Sequence, residues 1–248
     1  MSLSHIAIIA DIHANIWALD AVLQDIKRRE IQQIINLGDS LYGPLAPVET
    51  AERLLGEDLL RLTIQGNEDR ILFDPSVAPS PTVTWVKKRL SEAHLTWLNS
   101  LPTTAVLDDD VFLCHGTPES DETYLLEEPS IHGSTLASAE QISALLGAVS
   151  QRLVLCAHSH FPRTIQLPDG RLIINPGSVG LPAYQDEAPF PHKMENGSPH
   201  ARYAIISKDA ETFIVNHVLI PYDWHTAARI AHENGRDDWA QWLALGRA

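Results

Sequence analysis

Metal-ligand-type side chains stand at the ends of short apolar runs in this chain, and that placement constrains the fold more than any other feature. The run His5–Ala10 leads into Asp11 and His13, and Gln33–Leu37 into Gly38-Asp39. Leu60–Ile64 leads to Gly66-Asn67, Val111–Cys114 to His115-Gly116, and Leu153–Cys156 to His158-Ser159-His160. Each run reads as a strand. Loops at the carboxyl ends of strands gather along one edge of an α/β sheet. Asp11, His13, Asp39, Asn67, His115, His158 and His160 are therefore expected to converge from five separate segments. Taken singly, each piece is weak. A Gly-Asp after a strand is often only a turn, and a lone His at a strand end is more often a hydrogen-bonding residue than a ligand. The ordered set of seven is not accounted for by turns alone.

The segments between these runs predict an α/β chain. Ile16, Leu19, Val22, Leu23 and Ile26 recur at helical spacing behind Asn15, a capping residue. Further helices are expected over 47–55, 83–90, 92–98, 138–146, 224–234 and 237–245. Hairpins are expected about Asp108–Asp110, Pro168-Asp169-Gly170 and Lys208–Glu211. Residues 74–82 read as a Pro-rich loop, 116–133 as a polar acidic loop, and 180–200 as a loop or lid over the site. No linker or internal repeat divides the chain, so 1–248 reads as one domain with the helices of 224–245 at its end.

The 248 residues are enough to bury a core without staples. Cys114 and Cys156 each end an apolar run and read as buried reduced thiols rather than a disulfide framework. No apolar run reaches membrane-spanning length, and no signal-like segment opens the chain, so no membrane partner and a cytoplasmic location are expected. A formal net charge of -14 argues against a nucleic-acid duplex as partner. The same excess of negative charge suits a site that gathers cations.

The donor mixture points to metal chemistry. A carboxylate is able to bridge two cations, neutral imidazoles give directional bonds without charge, and Asn supplies a carbonyl oxygen. Mixed N/O ligation suits Mn, Fe, Zn, Co or Ni better than Ca or Mg. Two such ions about 3.5–4 Å apart activate a water and clamp the oxygens of an in-line phosphoryl displacement.

In order and spacing, Asp11-x-His13, Gly38-Asp39, Gly66-Asn67, His115-Gly116 and His158-x-His160 resemble the calcineurin-like metallophosphoesterase superfamily over residues 5 to about 220. Gly66-Asn67-Glu68-Asp69 and Asn175-Pro176-Gly177-Ser178 are most similar to its small bacterial and archaeal phosphodiesterase branch. The resemblance implies a four-layer sandwich of two mixed β-sheets flanked by helices. It also implies two divalent transition-metal ions, manganese serving in vitro. Asp11, His13, Asp39 and His160 would hold one; Asp39, Asn67, His115 and His158 would hold the other, with Asp39 bridging. A metal-bridging hydroxide would then hydrolyse a small phosphate ester, a phosphodiester or an activated monoester.

Two positions depart from the pattern. Glu68 stands where the family often has a His that protonates the leaving group, and Ala157 stands where Gly is usual. An ionised Glu68 near the cations is expected to disfavour dianionic monoesters. Asp39, Glu68 and Asp69 are the expected catalytic carboxylates; Asn67, Arg70, Arg163, Ser178 and His200 are the expected substrate contacts. The alternative is a protein-interaction scaffold on the same fold with vestigial or regulatory metal binding. Self-association is left open.

Overall fold

The computed structural model describes residues 5–78, 80–130, 133–209 and 212–248. The chain opens with β1 (His5–Ile9), α1 (Ile16–Arg28), β2 (Gln33–Asn36), α2 (Pro47–Leu55) and β3 (Leu60–Thr63), whose three strands run parallel. Three helices follow, α3 (Asn67–Arg70), α4 (Pro81–Lys87) and α5 (Glu92–Ser100). Next come an antiparallel pair, β4 (Thr104–Leu107) and β5 (Val111–Cys114), and a small hairpin, β6 (Glu127–Ser130) with β7 (Gly133–Leu136). Then α6 (Ala139–Leu146) leads to β8 (Leu153–Leu155), β9 (Pro162–Gln166) and β10 (Leu172–Pro176). A second small hairpin, β11 (Ala183–Asp186) with β12 (His192–Glu195), precedes the long hairpin β13 (Ala201–Asp209)–β14 (Thr212–Ile220). The chain closes with α7 (Trp224–Glu233) and α8 (Asp237–Leu245).

Two five-stranded mixed sheets form the body, in the orders β14-β13-β1-β2-β3 and β4-β5-β8-β10-β9. Period-two alternation in their strands explains how they stack. Ala7, Ile9, Ile34, Tyr203 and Ile205 face a helix layer that includes Leu19, Val22, Leu23 and Ile26 of α1. Their sequence neighbours Ile8, Ala10, Ile35, Ala204 and Ile206 turn the other way and meet Leu113, Leu153, Leu155 and Ile174 of the second sheet. The far side of that second sheet presents Cys114, Val154, Cys156 and Ile173 to Ile142 and Leu146 of α6. The result is the helix–sheet–sheet–helix order expected from the resemblance. Burying each large aliphatic of α1 stabilises the layer by about 1.5–3 kcal/mol. Asn15 caps α1 as expected, accepting from the Ala18 amide at 3.1 Å. Both cysteines are free and buried.

Two segments read as loops contain strands. Residues 116–133 include β6, and 180–200 form the β11–β12 hairpin. Both hairpins are short and polar, with few alternating apolar residues to mark them. Strand β9 begins at Pro162. Ala210 and Glu211 of the expected Lys208–Glu211 turn lie outside the described residues. Among the described residues no helix is long and apolar enough to cross a membrane.

Candidate metal centre

The loops after the central strands are held in backbone conformations that favour glycine but carry functional side chains. Asp11, His13, Asp39, His158 and His160 all have φ between 50° and 68°. Each such non-glycine residue costs on the order of 1 kcal/mol or more, and persists only where its surroundings over-determine it. Here the loops are tied to one another. The Asp11 amide donates to Gly38 O at 3.0 Å and the His13 amide to Asp39 O at 2.9 Å. Gly66 is required by close approach, since a Cβ there would lie 2.2 Å from Asp39 Oδ1.

These loops bring the donors into two buried sets. Asp11, His13 and His160 form one, and Asp39, His115 and His158 the other, each with ligand atoms within 4.8 Å of one another. In the first set, His13 Nε2 faces His160 Nε2 at 3.1 Å, and His160 Nε2 is 3.6 Å from Asp11 Oδ1. Two nitrogens bound to one ion at about 2.1 Å sit roughly 3 Å apart when the bonds are perpendicular. In the second set, His115 Nε2 lies 3.2 Å from Asp39 Oδ2 and 3.8 Å from Asp11 Oδ1. Asp39 also groups with His13 and Glu68, ligand atoms again within 4.8 Å, so Asp39 and Asp11 stand between the sets.

Hydrogen bonds at the opposite ring nitrogens decide which atom each imidazole presents. His115 Nδ1 donates to Leu37 O and His160 Nδ1 to Leu181 O, both at 2.7 Å, which leaves Nε2 toward the centre. His158 is reversed: Nε2 donates to Glu122 O at 3.0 Å, which leaves Nδ1. His13 Nδ1 meets Glu68 Oε2 at 3.0 Å and Tyr42 O at 3.3 Å, again leaving Nε2.

The fit to cations rests on the acceptors left over. Both carboxylate oxygens of Asp11 and Asn67 Oδ1 are buried without a hydrogen-bond partner. An orphaned buried acceptor costs about 1–3 kcal/mol, and more for a charged group, so several in one place mark a site built for another partner. The electrostatics agree. Burial pushes the Asp11 carboxyl up to about 7. Burial works against charge on His115 and His13 as well, yet Asp39 and Asp11 beside the first, and Glu68 beside the second, raise them to about 10 and about 9. Burial and neighbouring imidazoles push His158 down to about 4 and His160 well below its usual value. The centre draws positive charge toward its carboxylates while keeping two imidazoles neutral, a donor set that suits divalent transition metals.

A cleft of about 240 Å³ opens onto these groups and is lined by His13, Asp39, Asn67, His158 and His160. Its outer wall includes Tyr42, Glu68, Tyr184, Asp186, Arg236, Trp239 and Trp242. Trp239 stands edge-on to His13, ring centroids 5.8 Å apart, and Tyr184 edge-on to His160 at 4.6 Å. The Tyr184 hydroxyl bonds to Tyr124 Oη at 2.9 Å and lies 3.0 Å from His158 O.

Several residues expected at the site are held elsewhere. Asp69 is fully buried and accepts from the Ser40, Leu41 and Gly66 amides, so it ties the β2 and β3 loops together instead of facing the cleft. Arg70 is bound by Asp121, Glu122 and Asp74, and Arg163 makes a bidentate pair with Glu127. Neither lines the cleft. The Ser178 hydroxyl donates to Asp11 O at 2.8 Å from behind the ligand loop. His200 packs against Trp224 at 5.4 Å, also off the cleft. Conversely, Arg236, Trp239 and Trp242 line the cleft, Arg236 from the turn between α7 and α8 and the tryptophans from α8. No short-range pattern signals this, since it follows from how α7 and α8 dock against Ala14, Leu45 and Leu181. Ala157, the second departure, is buried.

Comparison with known proteins agrees with this geometry. A family model described as the calcineurin-like phosphoesterase superfamily domain matches residues 5–191. The chain is 29% identical over 270 residues to the uncharacterized protein MJ0912 of Methanocaldococcus jannaschii, covering 98% of this chain and 99% of that one. It superimposes with a TM-score of 0.77 on a metallophosphoesterase from Sphaerobacter thermophilus, at 27% identity and with 99% and 100% of the two chains covered. A putative diadenosine tetraphosphatase shares the fold at a TM-score of 0.52 and 16% identity, over 86% of this chain and 93% of that one.

Proposed function

Because the chain belongs to the calcineurin-like phosphoesterase superfamily, we propose that it is a metal-dependent phosphohydrolase that cleaves phosphodiesters, or phosphomonoesters with good leaving groups, at two divalent ions. Asp11, His13 and His160 would hold one ion and Asn67, His115 and His158 the other, with Asp39 shared. The observation that carries this reading is the set of buried, unpartnered acceptors on Asp11 and Asn67. When bound, two such ions supply Lewis acidity toward phosphoryl oxygens and lower the pKa of a water.

The chain's own residues do the rest. Leu37 O, Leu181 O and Glu122 O fix three imidazoles, so the donor geometry is set before substrate arrives. Ser178 and Gly180 hold the Asp11 carbonyl from behind. At the cleft, Asp39, Glu68 and Asp186 present carboxylates. A monoanionic diester meets less repulsion there than a dianionic monoester. Glu68 is engaged with His13 and supplies no ready proton to a departing alkoxide. Both features favour diesters and esters of acidic alcohols.

The test compares bis-p-nitrophenyl phosphate with p-nitrophenyl phosphate in manganese-loaded protein. Faster turnover of the diester, abolished by chelation and restored by manganese, is expected. Inertness toward both esters with metal bound would favour the scaffold reading instead.

A further inference from the structure

We propose that Arg236, presented by the α7–α8 hairpin, is the specificity residue of the cleft. It would bind a second anionic group of the substrate, a phosphate or carboxylate set one short spacer away from the scissile phosphorus. This inference rests on the phosphohydrolase reading and narrows its substrate class.

Three observations lead there. Among the described residues lining the cleft, Arg236 is the sole lysine or arginine, while Asp39, Glu68 and Asp186 make the rest of the wall acidic. A substrate carrying a second negative group would be repelled by that wall unless Arg236 received it.

The guanidinium is also held in place rather than left to wander. Its Nε and Nη2 donate to the Asp238 carboxylate at 2.9 and 2.6 Å, and Nη1 donates to Thr82 Oγ1. The Arg236–Asp238 pair is partly exposed, so its worth lies in orientation more than in Coulomb energy. A guanidinium carries five N–H donors in a rigid fork matched to planar or tetrahedral oxyanions. Bracing some of them removes the entropy that a free arginine would lose on binding.

The third observation is distance. The guanidinium carbon lies 5.4 Å from the Trp239 ring, and that ring lies 5.8 Å from His13. Trp239 thus touches both Arg236 and His13 along one cleft wall, which puts the guanidinium within reach of a group linked to the scissile phosphoryl group. The hairpin lies beyond residue 191, where the family match ends, so this part of the wall is set by the chain's own C-terminal segment.

The experiment measures binding to manganese-loaded protein by calorimetry, with two non-hydrolysable probes. Methylphosphonate carries one anionic group and methylenediphosphonate carries two. In Arg236→Gln, affinity for the diphosphonate should fall relative to methylphosphonate by roughly tenfold or more, the worth of a charge-assisted hydrogen bond. Arg236→Lys, which keeps the charge but not the fork, should retain part of the preference. Parallel losses for both probes, or a ratio within twofold of the native one, would overturn the proposal. Should Arg236→Gln fail to fold, the lysine variant decides alone, and an unchanged ratio counts against it. Failure of the native protein to hydrolyse phosphate esters would end the phosphohydrolase reading without altering this comparison.

Discussion

Glu68 Oε2 lies 3.0 Å from His13 Nδ1. The residue that stands where the family often places a leaving-group acid is turned instead onto the back of a ligand imidazole. By accepting the Nδ1 proton, Glu68 fixes the tautomer that directs His13 Nε2 at His160. It would thus position His13 within the first donor set.

Glu68→Ala should weaken manganese binding roughly 10- to 100-fold, the usual cost of losing such a carboxylate partner. Isothermal calorimetry on the native and variant proteins would show it. Unchanged affinities for both ions would remove Glu68 from this role.

Glu68→His addresses the substrate preference. An imidazole there removes one carboxylate from the cleft and offers a proton to the leaving group. The ratio of diester to monoester turnover should fall by severalfold. A ratio that stays put would mean that Glu68 does not set the preference.

The same logic predicts metal-linked stability. Ions that bind only the folded state at a hundredfold excess over their dissociation constant stabilise it by about 2.7 kcal/mol per site. For a chain of this size that is a shift of roughly 5–10 °C per ion. Chelation should therefore lower the Tm of the metal-loaded protein by at least that much, read by calorimetry or circular dichroism. An identical Tm with and without chelator would contradict a pair of ions in this site.

Away from the centre, Tyr203 donates to Asp25 Oδ2 at 2.6 Å, joining β13 to α1. Burial alone would raise the Asp25 carboxyl, but the Tyr203 hydroxyl and the Arg29 guanidinium hold it below its usual value. A depressed carboxylate contributes stability that is present above its unfolded value, near pH 4, and is lost as pH falls through the folded value. Tyr203→Phe should cost about 1–2 kcal/mol at neutral pH, a cost that shrinks as Asp25 protonates. Urea melts of both proteins at pH 7 and pH 3 would measure it; an equal difference at the two pH values would argue against the linkage.

The fold was legible because its strands are marked twice, by apolar alternation and by the residues that end them. Ile8 and Ile9 point into different layers, as period two requires. The grouping of the donors was legible for the same reason, since Asp11, Asp39, His115 and His158 each follow a central strand. The outer wall of the cleft was not. Arg236 and Trp239 reach it through packing between distant segments, and nothing near them in sequence marks either the turn or the helix as part of a site. Arg70 misled for the converse reason. Its proximity to Asn67 suggested substrate, whereas the loop carrying Asp121 and Glu122 folds over and takes up its charge. Sequence distance gives no warning of such a partner.

Anomalous diffraction from crystals grown with manganese tests the central claim most directly. Two peaks are predicted, one among Asp11, His13 and His160 and one among Asn67, His115 and His158, with Asp39 touching both. An empty centre at saturating manganese, or a lone peak remote from Asp39, would contradict the account.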